Sequence, residues 1–415
     1  MLVSVPYGKG KIEVELDEAR VAGIIEANNV PIAEESETVR KAIENPINSK
    51  NLSDFLANAK DVLFIVNDAT RPTPTARVLE IIHDMIKPLD VKFIVATGAH
   101  RAPTEEEFQQ IFGQCYEEFK SRIFVHDARA DKDMVYIGTS RNGTEMFINK
   151  LGVEAHKIVV IGSVEPHYIA GYTGGRKAFL PGIASYKTIE QNHTFALQPK
   201  AQSLSLEGNP VHEDMMDALG TIKSREIFAI MTVLDKNHQV YAATAGNIED
   251  SLTAATDKAK EVFAVKLKEK ADIVVAVARF PMDIDLYQSQ KALENGKHAL
   301  KDGGVIILVS KCRSGVGDDT FSKLLSASAT PAECLKKISE GYVLGYHKAA
   351  KMAEIALWAK MYGVTDIPDE LISSIFMTPF HSLQEALDQA FETVNKNDAK
   401  VLFFLDGGMT MPLLD

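Results

Sequence analysis

Cysteine is scarce in this sequence, and long apolar segments are missing from it. The three cysteines, Cys115, Cys312 and Cys334, are far apart and make no Cys-x-x-Cys pair. A disulfide framework is therefore excluded, and a reducing, cytoplasmic location is expected. No apolar run reaches the roughly 18 residues of a transmembrane helix. Residues 1–19 alternate between polar and apolar side chains, so they are not expected to be a signal peptide.

Positive charge is also in deficit. There are 45 Lys and Arg against 57 Asp and Glu, which gives a net charge of −12. Nucleic acids and anionic membranes select basic surfaces, so neither is expected as a partner. The remaining composition, 46% hydrophobic and 25% charged residues, is ordinary for a globular protein. A chain of 415 residues suits two domains of roughly 200 residues each.

Apolar runs typical of strands alternate with helical patterns along the chain. Two short opening strands are predicted over Leu2–Val5 and Lys11–Leu16. The later runs are apolar on both faces, as expected of parallel strands covered by helices on each side. They span residues 62–66, 93–96, 158–161, 227–233, 273–277, 305–309 and 401–405. The sequence therefore predicts an α/β protein of two α/β domains with mostly parallel sheets and an active site in the cleft between them.

A domain boundary is expected near residues 265–272. Helical spacing is found over Ala76–Leu89, Pro103–Phe112 and Ile248–Leu267. The last of these patterns ends in a lysine-rich stretch, and a new strand begins at Ala271. We therefore predict an N-terminal domain over residues 1–268 and a C-terminal domain over residues 269–415, the latter with a smaller sheet that contains the last three strand runs.

Ionisable residues beside glycine or proline follow four of the predicted strands. Ligands of open α/β sheets gather outside the carboxyl ends of the strands, so these segments form one candidate site. The segments are Asp68-Ala-Thr-Arg71-Pro, Thr97-Gly-Ala-His100-Arg, Glu165-Pro-His167-Tyr with Gly174-Gly-Arg-Lys177, and Asp285-Leu-Tyr287-Gln288-Ser-Gln-Lys291.

Each of these segments has a structural alternative. Arg71 can hold a carboxylate or phosphate with two parallel hydrogen bonds, or it can pair with Asp68 to cap a helix that begins near Thr75. His100 and His167 can act as general acids or bases, because the ordinary pKa of an imidazole is near neutrality. Either histidine can equally be a solvated loop residue.

The glycine-rich segment ending at Lys177 is typical of loops that bind phosphate through backbone N–H groups. It is not a Walker A sequence, and the chain also lacks Gly-x-Gly-x-x-Gly. A turn that serves only the fold is the alternative. Lys177 lies between Arg176 and an apolar stretch, an environment that can make an amine nucleophilic. His193 is either a capping or solvated residue, or the one protein ligand of a metal whose other ligands belong to a cofactor.

The combination of these motifs resembles the nickel-pincer lactate racemase family. Their order and approximate spacing agree over residues 60–295, and the segment from Gly174 to His193 is the most specific match. The matching motifs are Asp68-Ala-Thr-Arg71-Pro, Thr97-Gly-Ala-His100-Arg, His167, Gly174-Gly-Arg-Lys177 with Pro181-Gly-Ile-Ala-Ser-Tyr-Lys187, His193, and Tyr287-Gln288-x-x-Lys291.

The resemblance implies a cofactor. In that family it is a nickel-pincer nucleotide, in which nickel is bound by pyridinium-3,5-bisthiocarboxylic acid mononucleotide. The resemblance implies that Lys177 is joined covalently to this cofactor, that His193 is a nickel ligand, and that the N-terminal domain carries both the cofactor and the catalytic histidines. The further cofactor-binding residues that it implies are Asp68, Thr70, Gly174, Gly175 and Arg176.

The resemblance also implies a reaction. A racemase or epimerase of this kind inverts C2 of a 2-hydroxy acid by reversible hydride transfer, because removing the C2 proton beside a carboxylate is very unfavourable. Two opposed bases are needed, and His100 and His167 fill that requirement. The residues implied to bind the substrate are Arg71, Tyr287, Gln288 and Lys291. Enzymes that make the cofactor are implied as partners.

Alternatives stay open both for the substrate and for the class of function. Lactate leads, but Ala69 and Tyr346 depart from the residues of the characterised lactate racemase, so malate, aromatic or sugar-derived 2-hydroxy acids stay open. A non-catalytic cofactor-binding protein would not need both His100 and His167. A nicotinamide dehydrogenase is disfavoured because the dinucleotide fingerprint is missing.

Overall fold

Strands and helices alternate along most of the chain. The structure, a computed structural model, describes residues 1–222 and 226–414. Residues 223–225 and 415, which the predicted domains include, lie outside the described residues. The strands are β1 (Leu2–Tyr7), β2 (Gly10–Glu15), β3 (Val21–Ile25), β4 (Val62–Asn67), β5 (Val91–Ala96), β6 (Ile123–Val125), β7 (Met134–Thr139), β8 (Glu145–Asn149), β9 (Lys157–Ser163), β10 (Pro166–His167), β11 (Gly171–Tyr172), β12 (Glu226–Leu234), β13 (Val240–Gly246), β14 (Ala264–Leu267), β15 (Ala271–Val277), β16 (Leu300–Val309), β17 (Lys360–Val364), β18 (Thr378–Phe380), β19 (Val401–Phe404) and β20 (Met411–Leu414).

The helices lie between these strands. The α-helices are α1 (Glu35–Glu44), α2 (Leu52–Leu56), α3 (Thr75–Ile86), α4 (Glu105–Phe112), α5 (Tyr116–Phe119), α6 (Lys150–Glu154), α7 (Tyr186–Thr194), α8 (Pro210–Thr221), α9 (Ile248–Phe263), α10 (Leu286–Gly296), α11 (Asp319–Ser326), α12 (Pro331–Glu340), α13 (Tyr346–Ala356), α14 (Asp369–Ser373) and α15 (Leu383–Val394). Short 3₁₀ helices span Glu18–Arg20, Gly113–Cys115, Lys120–Arg122, Asp131–Asp133, Gly175–Ala178, Phe195–Leu197, Met282–Ile284 and Lys297–Ala299. Within the described part of the chain, no helix combines the length and the apolarity needed to cross a membrane.

The chain divides into two compact units. One consists of residues 29–262 and is called the 29–262 unit here. The other, the split unit, is built from two separate segments of the chain, residues 1–28 and 263–415. Each unit has a six-stranded sheet of its own.

The sheet of the 29–262 unit has the strand order β13-β12-β9-β4-β5-β6. Its pairs are parallel except for β12 with β13. From β4 the chain moves to β5 and β6 on one side, and it later adds β9 and β12 on the other side. The two directions separate between β4 and β9, and this switch point is where open α/β sheets bind ligands.

Local sequence explains why this sheet has helices on its faces. β4 reads Val-Leu-Phe-Ile-Val, and every one of these side chains is buried, as expected of a strand covered on both sides. Helix α3 buries one stripe of residues, Val78, Leu79, Ile82 and Ile86, against it. Helix α4 begins with a capping box, in which the Thr104 side chain and the Glu107 side chain each accept a hydrogen bond from the other's backbone N–H.

The sheet of the split unit is parallel throughout, in the order β18-β17-β16-β15-β19-β3. The hairpin of β1 and β2 packs on one face, where Val5 and Val14 join the same apolar cluster as Ile307 and Phe403 of the sheet. Helix α15 contributes Leu387 to that cluster. The strand order reverses between β15 and β19, so the loop that follows β15 lies at a second switch point.

The predicted α/β class and the mostly parallel sheets are confirmed. Three details differ from the prediction. The sheet of the split unit, expected to be the smaller one, also has six strands, because β3, β17 and β18 join the three predicted strands. The helix expected over Ile248–Leu267 stops at Phe263, because residues 264–267 form β14 and pair with β20. The first 28 residues, expected in the N-terminal domain, belong to the split unit, because β3 completes its sheet beside β19.

Candidate functional site

Two loops at the switch point of the 29–262 unit meet through a hydrogen bond between Asp68 and His100. Asp68 follows β4 and His100 follows β5, and these strands are neighbours. Nδ1 of His100 lies 2.8 Å from Oδ2 of Asp68. The carboxylate is buried, with 7% of its side chain exposed, whereas 46% of the His100 side chain is exposed. The pair thus joins a buried acid to an imidazole that solvent can reach.

Asp68 is held in its charged form. Its burial opposes ionisation, but the hydrogen bond and charge of His100, a hydrogen bond from Thr70 and the nearby charge of Arg71 outweigh this and lower the pKa of Asp68. The Thr70 hydroxyl donates to Oδ1 at 2.6 Å, and the Thr70 backbone N–H donates to the same oxygen at 3.2 Å. Asp68 and Thr70, predicted to bind the cofactor, therefore orient His100 in this structure.

Arg71 does not pair with Asp68 as the structural alternative supposed. The side chain of Asp68 is bonded to Thr70 and His100, and helix α3 begins after Pro74 without a side-chain cap. Within the described residues the Arg71 guanidinium has no hydrogen-bonding or ion-pairing partner, and it is only partly buried. An arginine whose guanidinium is not engaged by other side chains can bind a carboxylate with two parallel hydrogen bonds.

His167 lies on the other side of the switch point, on the small hairpin of β10 and β11 that follows β9. Its Nδ1 accepts hydrogen bonds from the backbone N–H groups of Ile169 at 3.5 Å and Ala170 at 3.3 Å. His167 is half-buried, and its ring lies 5.0 Å from that of Tyr168. The imidazole is thereby oriented by its own loop.

The two histidines differ in the neutral tautomer that their partners favour. His100 donates from Nδ1 to the carboxylate, so its Nε2 carries a lone pair and can accept a proton. His167 accepts at Nδ1, so the hydrogen of its neutral ring lies on Nε2. The two imidazoles are thus oriented by different partners, a buried carboxylate for His100 and backbone N–H groups for His167.

The glycines of the segment that ends at Lys177 serve the packing of the loop. Gly174 has φ +83° and Gly175 has φ +53°, values that favour glycine. A Cβ on Gly174 would lie 2.6 Å from Cγ2 of Val164, and a Cβ on Gly175 would lie 3.1 Å from Cε of Met231. These contacts are internal to the protein, so they account for both glycines without a ligand.

Arg176 was predicted to bind the cofactor, but the structure places it in the interior. It is 0% exposed. Its guanidinium donates to the carbonyls of Ala170 at 2.7 Å, Thr173 at 3.2 Å and Gly174 at 3.1 Å. Burial lowers the pKa of Arg176 to about 9. The side chain holds the loop between His167 and Lys177 in shape, which is a structural role.

His212 is a partner of Arg176 that sequence reasoning missed. Nε of Arg176 donates to Nδ1 of His212 at 3.0 Å. Burial and the adjacent Arg176 cation lower the pKa of His212 to about 3, so the imidazole stays neutral and accepts this bond. His212 lies on α8, far along the chain, and nothing in its surrounding sequence indicates the contact.

Lys177 and His193 lie on two neighbouring helical segments. Lys177 is 9% exposed and belongs to the 3₁₀ helix that follows Gly174. His193 lies in the last turn of α7, which Ser185 caps through the backbone N–H of Thr188. In the described residues no group of three or more His, Cys, Asp or Glu side chains could hold a metal ion. A metal here would therefore take ligands from a bound molecule as well as from the protein.

The remaining predicted residues lie in the split unit, at the start of α10 after β15. Asp285 caps this helix by accepting from the backbone N–H of Gln288 at 2.7 Å. Burial raises the pKa of Asp285 despite the nearby charges of Lys348 and Lys291. The Lys291 ammonium donates to Oε1 of Gln288 at 2.9 Å. The first two turns of the helix thus bring together Gln288 and Lys291.

Lys348 is another residue at this place that the sequence analysis did not single out. It lies on α13 and is 4% exposed. Its ammonium donates to the backbone carbonyl of Tyr287 at 2.7 Å and lies 3.3 Å from the centroid of the Tyr287 ring. A buried lysine directly after a Tyr-His pair in the sequence gives no signal of this contact. Tyr346, the first residue of the same helix, is half-buried.

Two family models match the chain. The lactate racemase N-terminal domain matches residues 7–204, and the lactate racemase C-terminal domain matches residues 266–411. Together they cover most of the sequence and both units.

Full-length relatives give the same result. A lactate racemase of Thermoanaerobacterium thermosaccharolyticum is 36% identical over 98% of this chain and 97% of its own length. A lactate racemase of Lactiplantibacillus plantarum is 32% identical over 98% of each chain. The solved structure of the T. thermosaccharolyticum lactate racemase apoprotein superposes with a TM-score of 0.92, at 35% identity and with all of both chains covered. A Thermotoga maritima protein, 18% identical, shares the fold with a TM-score of 0.70 over 92% of this chain and 98% of its own.

These matches extend over both units and exceed what a shared fold alone would give. The chain belongs to the lactate racemase family and is an isomerase of the racemase type.

Proposed function

We propose that the protein is a racemase or epimerase that inverts C2 of a 2-hydroxy carboxylic acid, with lactate as the leading substrate. The observation that carries the proposal is the pair of oriented imidazoles, His100 and His167, at the switch point of the 29–262 unit. His100 is bonded to a buried carboxylate at 2.8 Å, and His167 is bonded to backbone N–H groups. Binding alone does not require two oriented imidazoles that follow different strands of the sheet.

The residues fit a nickel-pincer nucleotide as the cofactor. Lys177 supplies an amine for covalent attachment, and it is largely shielded from water at 9% exposure. His193 supplies one imidazole, a ligand type that suits nickel. The described residues hold no protein cluster that could bind the metal alone, which agrees with a metal that brings most of its ligands with it. When bound, this cofactor would supply the hydride acceptor and donor for C2 of the substrate.

The histidines would move the hydroxyl proton. His100, neutral at Nε2, takes the proton of the substrate hydroxyl while C2 becomes planar, and Asp68 stabilises the imidazolium that forms. His167, which is protonated before this step, then gives its proton to the oxygen of the opposite enantiomer and is left neutral. In the reverse direction the two residues exchange roles. The Asp68 carboxylate keeps its charge at neutral pH because its pKa is lowered.

Cationic and polar side chains would bind the substrate carboxylate. Arg71 in the 29–262 unit is proposed for this role because its guanidinium has no partner among the described residues. Tyr287, Gln288 and Lys291 in the split unit are likewise proposed as substrate-binding residues, and the bond between Lys291 and Gln288 orients both side chains. Guanidinium and ammonium groups are the usual partners of carboxylates.

Lactate is the first choice because two curated relatives carry that name. Ala69, one of the two departures from the characterised enzyme, packs against the hydrophobic core of its unit. Because Ala69 and Tyr346 depart from the residues of the characterised enzyme, malate, aromatic and sugar-derived 2-hydroxy acids are included among the substrates to be tested. We also infer a cytoplasmic location and a dependence on the enzymes that make the cofactor, with no nucleic-acid or membrane partner.

A panel of single-enantiomer 2-hydroxy acids, assayed by chiral separation, tests the proposal. The protein should be produced together with the cofactor-synthesis enzymes. We expect one acid to racemise from both enantiomers, nickel to be present, and intact-protein and peptide mass spectrometry to find an adduct on Lys177. Full activity with unmodified Lys177 would rule out the proposed attachment, and inactivity on every acid would overturn the proposed function.

A further inference from the structure

The buried ammonium of Lys348 contacts Tyr287 in two ways. It donates to the carbonyl oxygen of Tyr287 at 2.7 Å, and it lies 3.3 Å from the centroid of the Tyr287 ring. A cation over the face of an aromatic ring is attracted by the ring's negative face, and the attraction is stronger when water is excluded. Lys348 is 4% exposed, so both contacts are shielded. Together they fix the backbone and the ring of Tyr287.

Tyr287 is also held from other directions. Its backbone N–H donates to the carbonyl of Val316 at 3.0 Å, and its ring packs edge-on against Phe321 at 5.5 Å. Gly317 leaves no spare room, since a Cβ there would lie 3.0 Å from Cβ of Tyr287 and 2.8 Å from Cγ of Asp285. The first turn of α10 is therefore packed closely around the point where Lys348 binds.

We infer that Lys348 is a positioning residue that sets the orientation of Tyr287 and, through the Tyr287 backbone, of the first two turns of α10, which carry Gln288 and Lys291. The inference rests on the proposed function, because it assigns these three residues to the substrate. Lys348 acts on the reaction through these three residues.

Lys351 provides a matched control on the same helix. It lies one turn after Lys348 and is 5% exposed. Its ammonium faces Glu294 at 3.7 Å and Glu354 at 3.9 Å. Replacing either lysine by methionine removes a buried ammonium from α13, but only the change at position 348 removes a contact with Tyr287. Any general effect of the loss on α13 should therefore appear in both variants.

The experiment compares Lys348→Met, Lys348→Arg and Lys351→Met in the cofactor-loaded full-length enzyme. The first readout is the KM and kcat for the acid that the wild type racemises best. We expect Lys348→Met to raise KM about 10-fold, because a carboxylate held less well in both ground and transition state loses uniform binding. Lys351→Met should leave KM within about twofold, and Lys348→Arg should recover part of the loss by keeping the cation.

The second readout does not depend on turnover. Protein labelled with 3-fluorotyrosine gives a ¹⁹F resonance for Tyr287, assigned with Tyr287→Phe. Removing the cation over the ring should move this resonance in Lys348→Met and leave it unchanged in Lys351→Met. An unmoved resonance, or a moved resonance with a wild-type KM, would overturn the inference. A wild-type enzyme that turns over no 2-hydroxy acid would instead overturn the proposed function, and the inference with it.

Discussion

Replacing Asp68 by asparagine should abolish most of the activity through the tautomer of His100. Oδ1 of Asp68 accepts from the hydroxyl and the N–H of Thr70 at 2.6 and 3.2 Å, while Oδ2 faces Nδ1 of His100 at 2.8 Å. In Asp68→Asn, Thr70 holds the amide oxygen on its own side, so the amide nitrogen points at His100 and donates to Nδ1. The hydrogen of the neutral imidazole then moves to Nε2, and the base is lost.

The size of the effect follows from this change of tautomer. Asparagine has almost the volume of aspartate, so the packing around the buried side chain changes little. Loss of a positioned base, or a wrong tautomer, costs about 10²- to 10⁴-fold in rate, which corresponds to roughly 3–5 kcal/mol of activation free energy. Because the two enantiomers of a racemisation are equal in free energy, kcat/KM must fall by the same factor from either one.

Initial rates from each pure enantiomer, measured by chiral separation, provide the assay. Glu118→Gln is the control, since it breaks another histidine–carboxylate pair of the same unit, in which Nε2 of His83 lies 2.7 Å from Glu118. This pair lies on α3 and α5, away from the switch point. We expect the control to keep its rate. A folded Asp68→Asn enzyme with more than a third of the wild-type kcat/KM would refute the reasoning.

Further predictions concern the loop between His167 and Lys177. His212→Asn should reduce the dependence of the melting temperature on pH. In the folded protein the pKa of His212 is about 3, whereas in the unfolded chain it returns to its ordinary value of 6.5. The wild type therefore loses stability as the pH falls from 6.5 towards 3, and the variant should lose less. Equal slopes in calorimetry would contradict this. Gly174→Ala should cost about 2–5 kcal/mol in urea unfolding, because it adds a Cβ 2.6 Å from Val164 at φ +83°. Gly143→Ala, at φ +88° with open space around it, should cost only the backbone part, and equal costs would refute the packing argument. Arg176→Lys should cost about 1–3 kcal/mol for each acceptor left without a donor, measured in the same way, and wild-type stability would count against the proposed clamp.

The residues that follow the strands show which parts of the candidate site could be predicted from the sequence. Asp68 and His100 follow apolar runs that become neighbouring parallel strands, so their meeting could be expected from the periodicity alone. The identity of the bond could not be, because an aspartate with an arginine three residues later suggests an Asp–Arg pair. The folded structure alone shows that the Asp68 carboxylate accepts its hydrogen bonds from Thr70 and His100.

Arg176 and Lys348 show why other residues could not be predicted. A glycine pair followed by arginine and lysine is typical of a phosphate loop, and burial of the arginine depends on His212 and on carbonyls that the pattern does not reveal. Lys348 reaches Tyr287 from a helix about sixty positions away in the chain. Contacts of this kind depend on how distant elements pack, which local spacing does not encode.

The place of β3 in the split unit has a consequence for biosynthesis. β3 is made early, yet its hydrogen-bonding partner β19 leaves the ribosome only after nearly all of the intervening sequence. During translation the residues Val21–Ile25 lack their partner strand, while residues 29–262 can already fold around their own core. The pairing of β3 therefore depends on a strand that is synthesised after all of residues 29–262, and termination of translation before β19 would leave the edge of β3 unpaired and prone to aggregation.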